Sequence, residues 1–139
     1  MRVLIVLMLG VLVLGGCSDE PTEQTPEGAL RLFLDAMDRS QWDKDALHEA
    51  YDLLSPAARA RLEQRAERGS SLASRELEPW EMLAQGRFRL RFAPKRRDGM
   101  ETNMGEGRAT VVVHGDDGQR AEVPMVEEDG DWRVDLRLP

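Results

Sequence analysis

The apolar residues of this chain change their spacing once, near Gly86, and that change limits the folds open to it. Before Gly86 they recur every three or four residues, as on the buried face of an amphipathic helix. After Gly86 they recur every second residue, as in a strand with one buried face. Helices followed by antiparallel strands predict an α+β domain, with the helices packed on one face of the sheet.

Three helices and a short helical turn are predicted before Gly86. Thr25-Pro26-Glu27 begins the first helix, because threonine can cap it, proline fits its first turn and glutamate favours its positive end. Ser55-Pro56 separates the second helix from the third. The first helix has an apolar face of Leu30, Phe33, Leu34 and Met37 and ends near residues 38–41. The second helix is predicted from Asp43 or Asp45 to Leu54. The third is predicted from Ala57 to Arg68, where Gly69-Ser70-Ser71 ends it, and the helical turn covers residues 79–83.

Four strands and one optional strand are predicted after Gly86. The turns between them are residues 116–118 and Asp129-Gly130, which are typical of hairpins. Pro124 predicts a sheet edge or a bulge in its strand. In the first predicted strand, Phe88, Leu90 and Phe92 alternate with Arg87, Arg89 and Arg91. The optional strand is short and lies near Met100–Met104 within a loop. The remaining three run from Ala109 to His114, through Ala121, Val123 and Met125, and from Trp132 to Leu138.

The first sixteen residues have the pattern of a secretory leader. An apolar run from Val3 to Leu14, interrupted by Gly10, follows one arginine. The run is too short to cross a bilayer, which takes about 20 residues, but it fits the hydrophobic region of a signal peptide. Cys17 follows two glycines and is the single cysteine of the chain. One cysteine excludes an internal disulfide framework.

Leu14-Gly15-Gly16-Cys17 resembles the lipobox of bacterial lipoproteins. The resemblance implies cleavage between Gly16 and Cys17, a diacylglyceryl thioether on Cys17, and acylation of the new N-terminus with a fatty acid such as palmitate. Two or more acyl chains hold a protein stably on a membrane. Ser18, rather than aspartate, implies export to the periplasmic face of the outer membrane under the enterobacterial sorting rule. The alternatives are an ordinary signal peptide cut after Gly16 and a buried free thiol after an uncleaved anchor.

Removal of residues 1–16 leaves about 120 residues, which is the size of one domain. Residues 17–24 contain three carboxylates and, beyond Cys17, no large apolar side chain, so they predict a disordered tether that carries the lipidated cysteine. Residues 25–139 are then the folded domain. The formal net charge of −7 argues against nucleic acid as a partner.

Three stretches of this domain, residues 25–34, 50–62 and 128–136, resemble the nuclear transport factor 2-like superfamily, also called cystatin-like or ketosteroid-isomerase-like. The closer likeness is to small lipoproteins of that group whose domains have no assigned activity. The resemblance implies a curved antiparallel sheet wrapped around the first helix, forming a cone that often holds a pocket. Residues 69–80 depart from the pattern, which leaves the mouth of the pocket undefined. A fold of this kind does not determine function.

Candidate chemistry is sparse. His48 is predicted on a helix surface and His114 in a turn, so no catalytic residue, metal ligand or cofactor is assigned. Trp42, Tyr51 and Trp132 fit core packing better than a pocket lining. Trp80, which follows Pro79 outside the regular elements, is the candidate for a pocket rim.

A basic cluster in this acidic chain combines Arg87, Arg89 and Arg91 with Lys95-Arg96-Arg97. It fits a solvated loop and strand face, or a contact with lipid phosphates. Met100 and Met104 flank the same loop as gap fillers or as a soft contact surface.

The sequence as a whole favours a membrane-anchored envelope lipoprotein whose non-catalytic domain binds a small ligand or a partner protein. One alternative is a structural or assembly role, in which the sheet face forms a dimer or joins a larger complex. A less favoured one is an enzyme of the isomerase or dehydratase kind.

Overall fold

The protein folds into an α+β domain in which the helices precede the strands. The computed structural model describes residues 20–85, 90–96 and 98–137. The described strands form an open antiparallel sheet in the order β1-β2-β3-β4, which confirms the predicted fold class at this level. The elements are α1 (Pro26–Arg39), α2 (Asp45–Asp52), α3 (Pro56–Leu72), a 3-10 helix (Pro79–Gln85), β1 (Met100–Met104), β2 (Arg108–His114), β3 (Arg120–Glu128) and β4 (Asp131–Val134).

Several predictions made from the sequence concern residues outside the described ranges. They concern the leader with its cleavage site at Gly16 and Cys17 and the first residues of the tether. They also concern part of the first predicted strand, part of the basic cluster and the end of the last predicted strand, at residues Arg87, Phe88, Arg89, Arg97 and Leu138.

Helix α1 begins as predicted. The Thr25 hydroxyl oxygen accepts a hydrogen bond from the Gly28 amide at 3.1 Å, and Pro26 occupies the first turn. Gly28 must lack a side chain, because a Cβ there would lie 2.1 Å from the carbonyl oxygen of Thr22. The inner face of α1 is buried, whereas Leu34 is only half-buried.

Helix α3 is capped by a buried serine that also binds the end of the chain. The Ser55 hydroxyl accepts a hydrogen bond from the Ala58 amide at 3.1 Å and donates one to Asp135 Oδ1 at 2.7 Å. The predicted end of α3 at residues 69–71 is wrong, since the helix continues to Leu72. Gly69 instead allows a close approach: a Cβ at this position would lie 2.7 Å from Leu77 Cδ1.

The core lies between the helices and one face of the sheet. Ala109 pairs with Met125 across β2 and β3, and Met125 pairs with Val134 across β3 and β4, which places these three side chains on the same face. As predicted, Trp132 packs into this core and is only 5% exposed. The largest fully buried apolar side chains are Phe33, Leu30, Met37, Leu54, Leu62, Leu83, Met125, Val111, Val112, Val113 and Val134.

The outer edge of β4 is covered by chain from the N-terminal half. The Val134 amide donates to the Leu53 carbonyl at 2.9 Å, and the Trp132 amide donates to the Glu23 carbonyl at 2.7 Å. Glu23 also forms an ion pair with Arg133. Contacts with the domain therefore begin within the segment predicted as a tether, before Thr25.

Two predicted strands differ from the structure. Residues 90–92 are irregular rather than part of a strand, and the one bridge within residues 90–96 joins Pro94 to Gly115, just after β2. The last strand ends at Val134 rather than at Leu138. Pro124 lies where β4 has ended, so its missing N–H removes no ladder bond, and its carbonyl accepts from the Asp135 amide at 2.8 Å.

Candidate functional site

A groove runs between α1 and the irregular segment 90–94. Its floor is formed by Leu34 and Met37 of α1, and its opposite wall by Leu90, Phe92 and Pro94. Asp38, Gln41 and Ala93 complete the lining of a cavity of about 360 Å³. A mostly apolar concavity with a few polar groups is the usual form of a small-molecule site.

Backbone contacts to β2 hold the wall of this groove in place. Pro94 bridges to Gly115, and the Lys95 amide donates to the His114 carbonyl at 2.9 Å. Gly115 leaves room for the aromatic wall, because a Cβ there would lie 2.8 Å from Phe92 Cδ2. The wall is thus fixed by the sheet, although it is not itself a strand.

The groove continues into a basic depression of about 310 Å³. Leu34 and Pro94 line both cavities, so the two are contiguous. Arg31, Lys95 and Arg96 are exposed cations that line the second cavity, together with Gly99 and Met100. We refer to these three side chains as the basic end.

Gly99 shapes the backbone beside the basic end. A Cβ at Gly99 would lie 2.4 Å from the Lys95 carbonyl oxygen, so this close approach requires glycine at position 99. The Gly99 carbonyl accepts a hydrogen bond from the His114 amide at 2.8 Å. Lys95 and Arg96 share the lining of the depression with Arg31 and Leu34 of α1.

An ion-pair network lies at the C-terminal end of α1. Arg39 donates to Asp35 at 2.9 Å and also pairs with Glu49 of α2. The hydrogen bond from Arg39 lowers the pKa of Glu49, and the two carboxylates raise the pKa of Arg39. Two carboxylates therefore offset the charge of Arg39, whereas no ion pair within the described ranges involves a cation of the basic end.

Trp80 lies in the 3-10 helix, where it is half-buried against His48 of α2. The two ring centroids are 4.1 Å apart with an interplanar angle of 35°. His48 is exposed, as predicted for a surface histidine. Neither side chain lines the groove along α1, and a ligand contact at Trp80 remains a prediction.

The other aromatic candidates take different positions. Core packing is the wrong prediction for Trp42, which is 76% exposed in the loop after α1. Tyr51 is half-buried and its hydroxyl donates to Glu63 Oε1 at 3.2 Å. Burial, and then the negative charge of Glu63, raise the pKa of Tyr51.

His114 ends β2, and its Nε2 atom lies 3.1 Å from Glu101 Oε2 on the neighbouring strand. Met100 lines the basic depression, whereas Met104 is 63% exposed at the end of β1. The strand predicted from Ala109 to His114 ends at the predicted residue, and His114 is its last residue rather than part of the turn that follows.

Two further depressions lie away from α1. One, of about 570 Å³, lies between α3 and residues 76–79, and glutamates dominate its lining. The other, of about 270 Å³, is flanked by β1, β2 and β3 near Asp135 and Arg137. Across residues 20–85, 90–96 and 98–137, no group of three histidine, cysteine or acidic side chains is placed to hold a metal ion.

Sequence reasoning did not identify the groove. The spacing predicts Leu34 on the core face of α1, but this residue lies at the margin of that face and is half-buried. Arg31 lies almost one turn earlier and is exposed, and a basic residue beside an apolar stripe was the available signal.

Comparison with known proteins gives no relative. No protein family model, curated protein or solved structure matches the chain. None of the helices in the described part of the chain is both long enough and apolar enough to span a membrane.

Proposed function

We propose that this protein is a bacterial envelope lipoprotein whose non-catalytic domain binds a small ligand in the groove along α1. The observation that carries the binding function is the 360 Å³ cavity with its apolar floor and wall. Among the described residues that line it, Asp38 is the single ionisable one, and neither histidine contributes. These features favour binding rather than proton-transfer chemistry.

The anchor and the fold family in this proposal are supported by the sequence. The lipobox at Leu14–Cys17 supports acylation of Cys17 and attachment to a membrane, with Ser18 favouring the outer membrane. Three helices followed by an antiparallel meander, with α1 against the sheet, support a nuclear transport factor 2-like domain.

A second candidate function is assembly through the sheet. β1 is an edge strand of the described sheet, in contrast to β4, which segments at Glu23 and Leu53 cover. Met104 is 63% exposed on this strand. An open edge with an exposed apolar residue suits pairing with a second copy or an envelope protein. Light scattering of a concentrated sample that gives a monomer mass would contradict self-association.

Hydrogen exchange of the full chain tests the binding function. Small-molecule extract from the producing cell's envelope is expected to slow exchange of amides in α1 and residues 90–96. Leu34→Gln should abolish this protection, because a polar amide replaces the apolar floor. Leu32→Gln is the matched control, since Leu32 is also half-buried on α1 but is not among the described residues that line the four depressions named above.

Equal protection in both variants would contradict a site at Leu34. A chain whose exchange is unaffected by every extract fraction would contradict small-ligand binding itself.

A further inference from the structure

The two contiguous cavities along α1 differ in chemistry from one end to the other. Arg31 lies at the basic end and Met37 on the apolar floor, six residues apart and therefore about 9 Å apart along the helix axis. Leu34 lies between them and lines both cavities. A ligand that fills both cavities must therefore be apolar over one part and polar over the other.

The cations of the basic end are available to a ligand. Within residues 20–85, 90–96 and 98–137, none of Arg31, Lys95 and Arg96 forms an ion pair. The two acids one turn from Arg31 on α1 have other partners: Glu27 accepts from Thr102 Oγ1 at 2.7 Å, and Asp35 pairs with Arg39. Asp98 is exposed on the neighbouring turn.

Arg31, Lys95 and Arg96 lie together, and no ion pair in the described part of this chain of net charge −7 involves them. Arginine and lysine side chains placed together bind phosphate or carboxylate groups through charge-assisted hydrogen bonds. The complementary ligand therefore carries an anionic group at this end of the groove.

The volume of the apolar half limits the rest of the ligand. Ligand pockets range from about 300 to 1,000 Å³, and the apolar cavity, at about 360 Å³, is near the lower limit. It suits one alkyl chain rather than the two chains of a bilayer lipid.

We propose that the groove binds a single-chain anionic amphiphile. Its acyl chain lies between α1 and residues 90–94, and its phosphate or carboxylate contacts Arg31, Lys95 and Arg96. This inference rests on the proposed function, because it names the ligand of the same groove.

Photo-crosslinking of the full chain in phosphatidylcholine nanodiscs tests this proposal. The probe is lysophosphatidylglycerol with a diazirine at the end of its acyl chain, and mass spectrometry locates the labelled residues. Labelling is expected at Leu34, Met37 and residues 90–92. Unlabelled lysophosphatidylglycerol should compete, whereas zwitterionic lysophosphatidylcholine should compete about tenfold more weakly. Glycerol phosphate, which lacks the chain, should not compete at the same concentration.

Charge-matched variants separate specific head-group contacts from general attraction. Arg31→Gln combined with Arg96→Gln should lower labelling about tenfold, because two cations of the basic end are removed. Arg68→Gln combined with Arg108→Gln removes the same charge from two exposed arginines that line neither cavity of the groove, and should leave labelling within about twofold.

Several results would overturn the proposal. Labelling confined to exposed apolar residues such as Trp42 and Leu72 would show nonspecific contact. Equal loss in the two double variants would exclude the basic end, and full competition by glycerol phosphate would show a simple anion site. If the probe labels none of the groove residues but an envelope extract still slows exchange in α1 in a Leu34-dependent manner, the proposed ligand class is wrong and the binding function stands. If the probe does not label the groove and no extract slows exchange, the proposed ligand and the proposed binding function are both contradicted.

Discussion

Helices α1 and α3 begin in the same way but border depressions of opposite charge. Each has a hydroxyl cap followed by proline, and each faces an irregular segment from later in the chain. α1 buries seven residues, among them Phe33, and its flank forms an apolar groove with cations at one end. α3 buries only three residues, all on one stripe, and its flank carries Glu63 and Glu67 opposite two further glutamates.

The difference shows what makes a helix flank a candidate binding site. An apolar flank covered by a wall fixed to the sheet lets a ligand bury its own apolar surface away from water. This burial is the main source of small-molecule affinity. The α3 depression is larger, but its acidic side chains are hydrated and repel one another. Volume alone therefore does not decide which depression is proposed as the binding groove.

The largest expected difference between the two helices lies in their caps. Ser55→Ala removes the acceptor for the Ala58 amide and the donor to Asp135, at a site that is 1% exposed. We expect a loss of about 2 kcal/mol in the free energy of unfolding. Thr25→Ala removes one bond at an exposed cap and should cost about 1 kcal/mol. Urea unfolding measures both, and equal losses would show that the Asp135 bond adds no stability.

A smaller effect is expected from pH beside the α3 depression. The side chain of Arg75 and then the Glu78 amide donate hydrogen bonds that lower the pKa of Glu81 below its ordinary value of 4.5. The stability that this group contributes is therefore complete above that value and is lost as pH falls through the folded pKa. Arg75→Gln should raise the pKa of Glu81 towards 4.5, as followed by carboxyl NMR titration.

Arg68→Gln serves as the control for this titration, because Arg68 is an exposed arginine of α3 that does not contact Glu81. A Glu81 titration that shifts equally in both variants would mean that the effect comes from general charge rather than from the Arg75 hydrogen bonds.

Local signals predicted much of the fold. The caps at Thr25 and Ser55, the hairpin at Asp129-Gly130 and the alternation in β2 all depend on near neighbours in sequence. Both turn residues Asp129 and Gly130 have positive φ, of 53° and 89°, as a two-residue hairpin requires.

Long-range contacts account for the failures. Residues 90–92 alternate like a strand, but their neighbours are α1 and Gly115 rather than a pairing strand. Gly69 resembles a helix end, yet its role is contact with Leu77. The groove itself depends on Leu34 and Pro94, which are 60 positions apart, so no local pattern could reveal that they share a lining.

The intact mass of the protein released gently from its own membrane tests the central claim most directly. We predict a chain that lacks the first sixteen residues, carries acyl groups on Cys17 and retains a noncovalent small molecule. The Leu34→Gln variant should show the same cleavage and acylation, with a covalent mass that differs only by the substitution, and should lack the small molecule. A wild-type chain without acyl groups, or a small molecule retained equally by both proteins, would contradict the account.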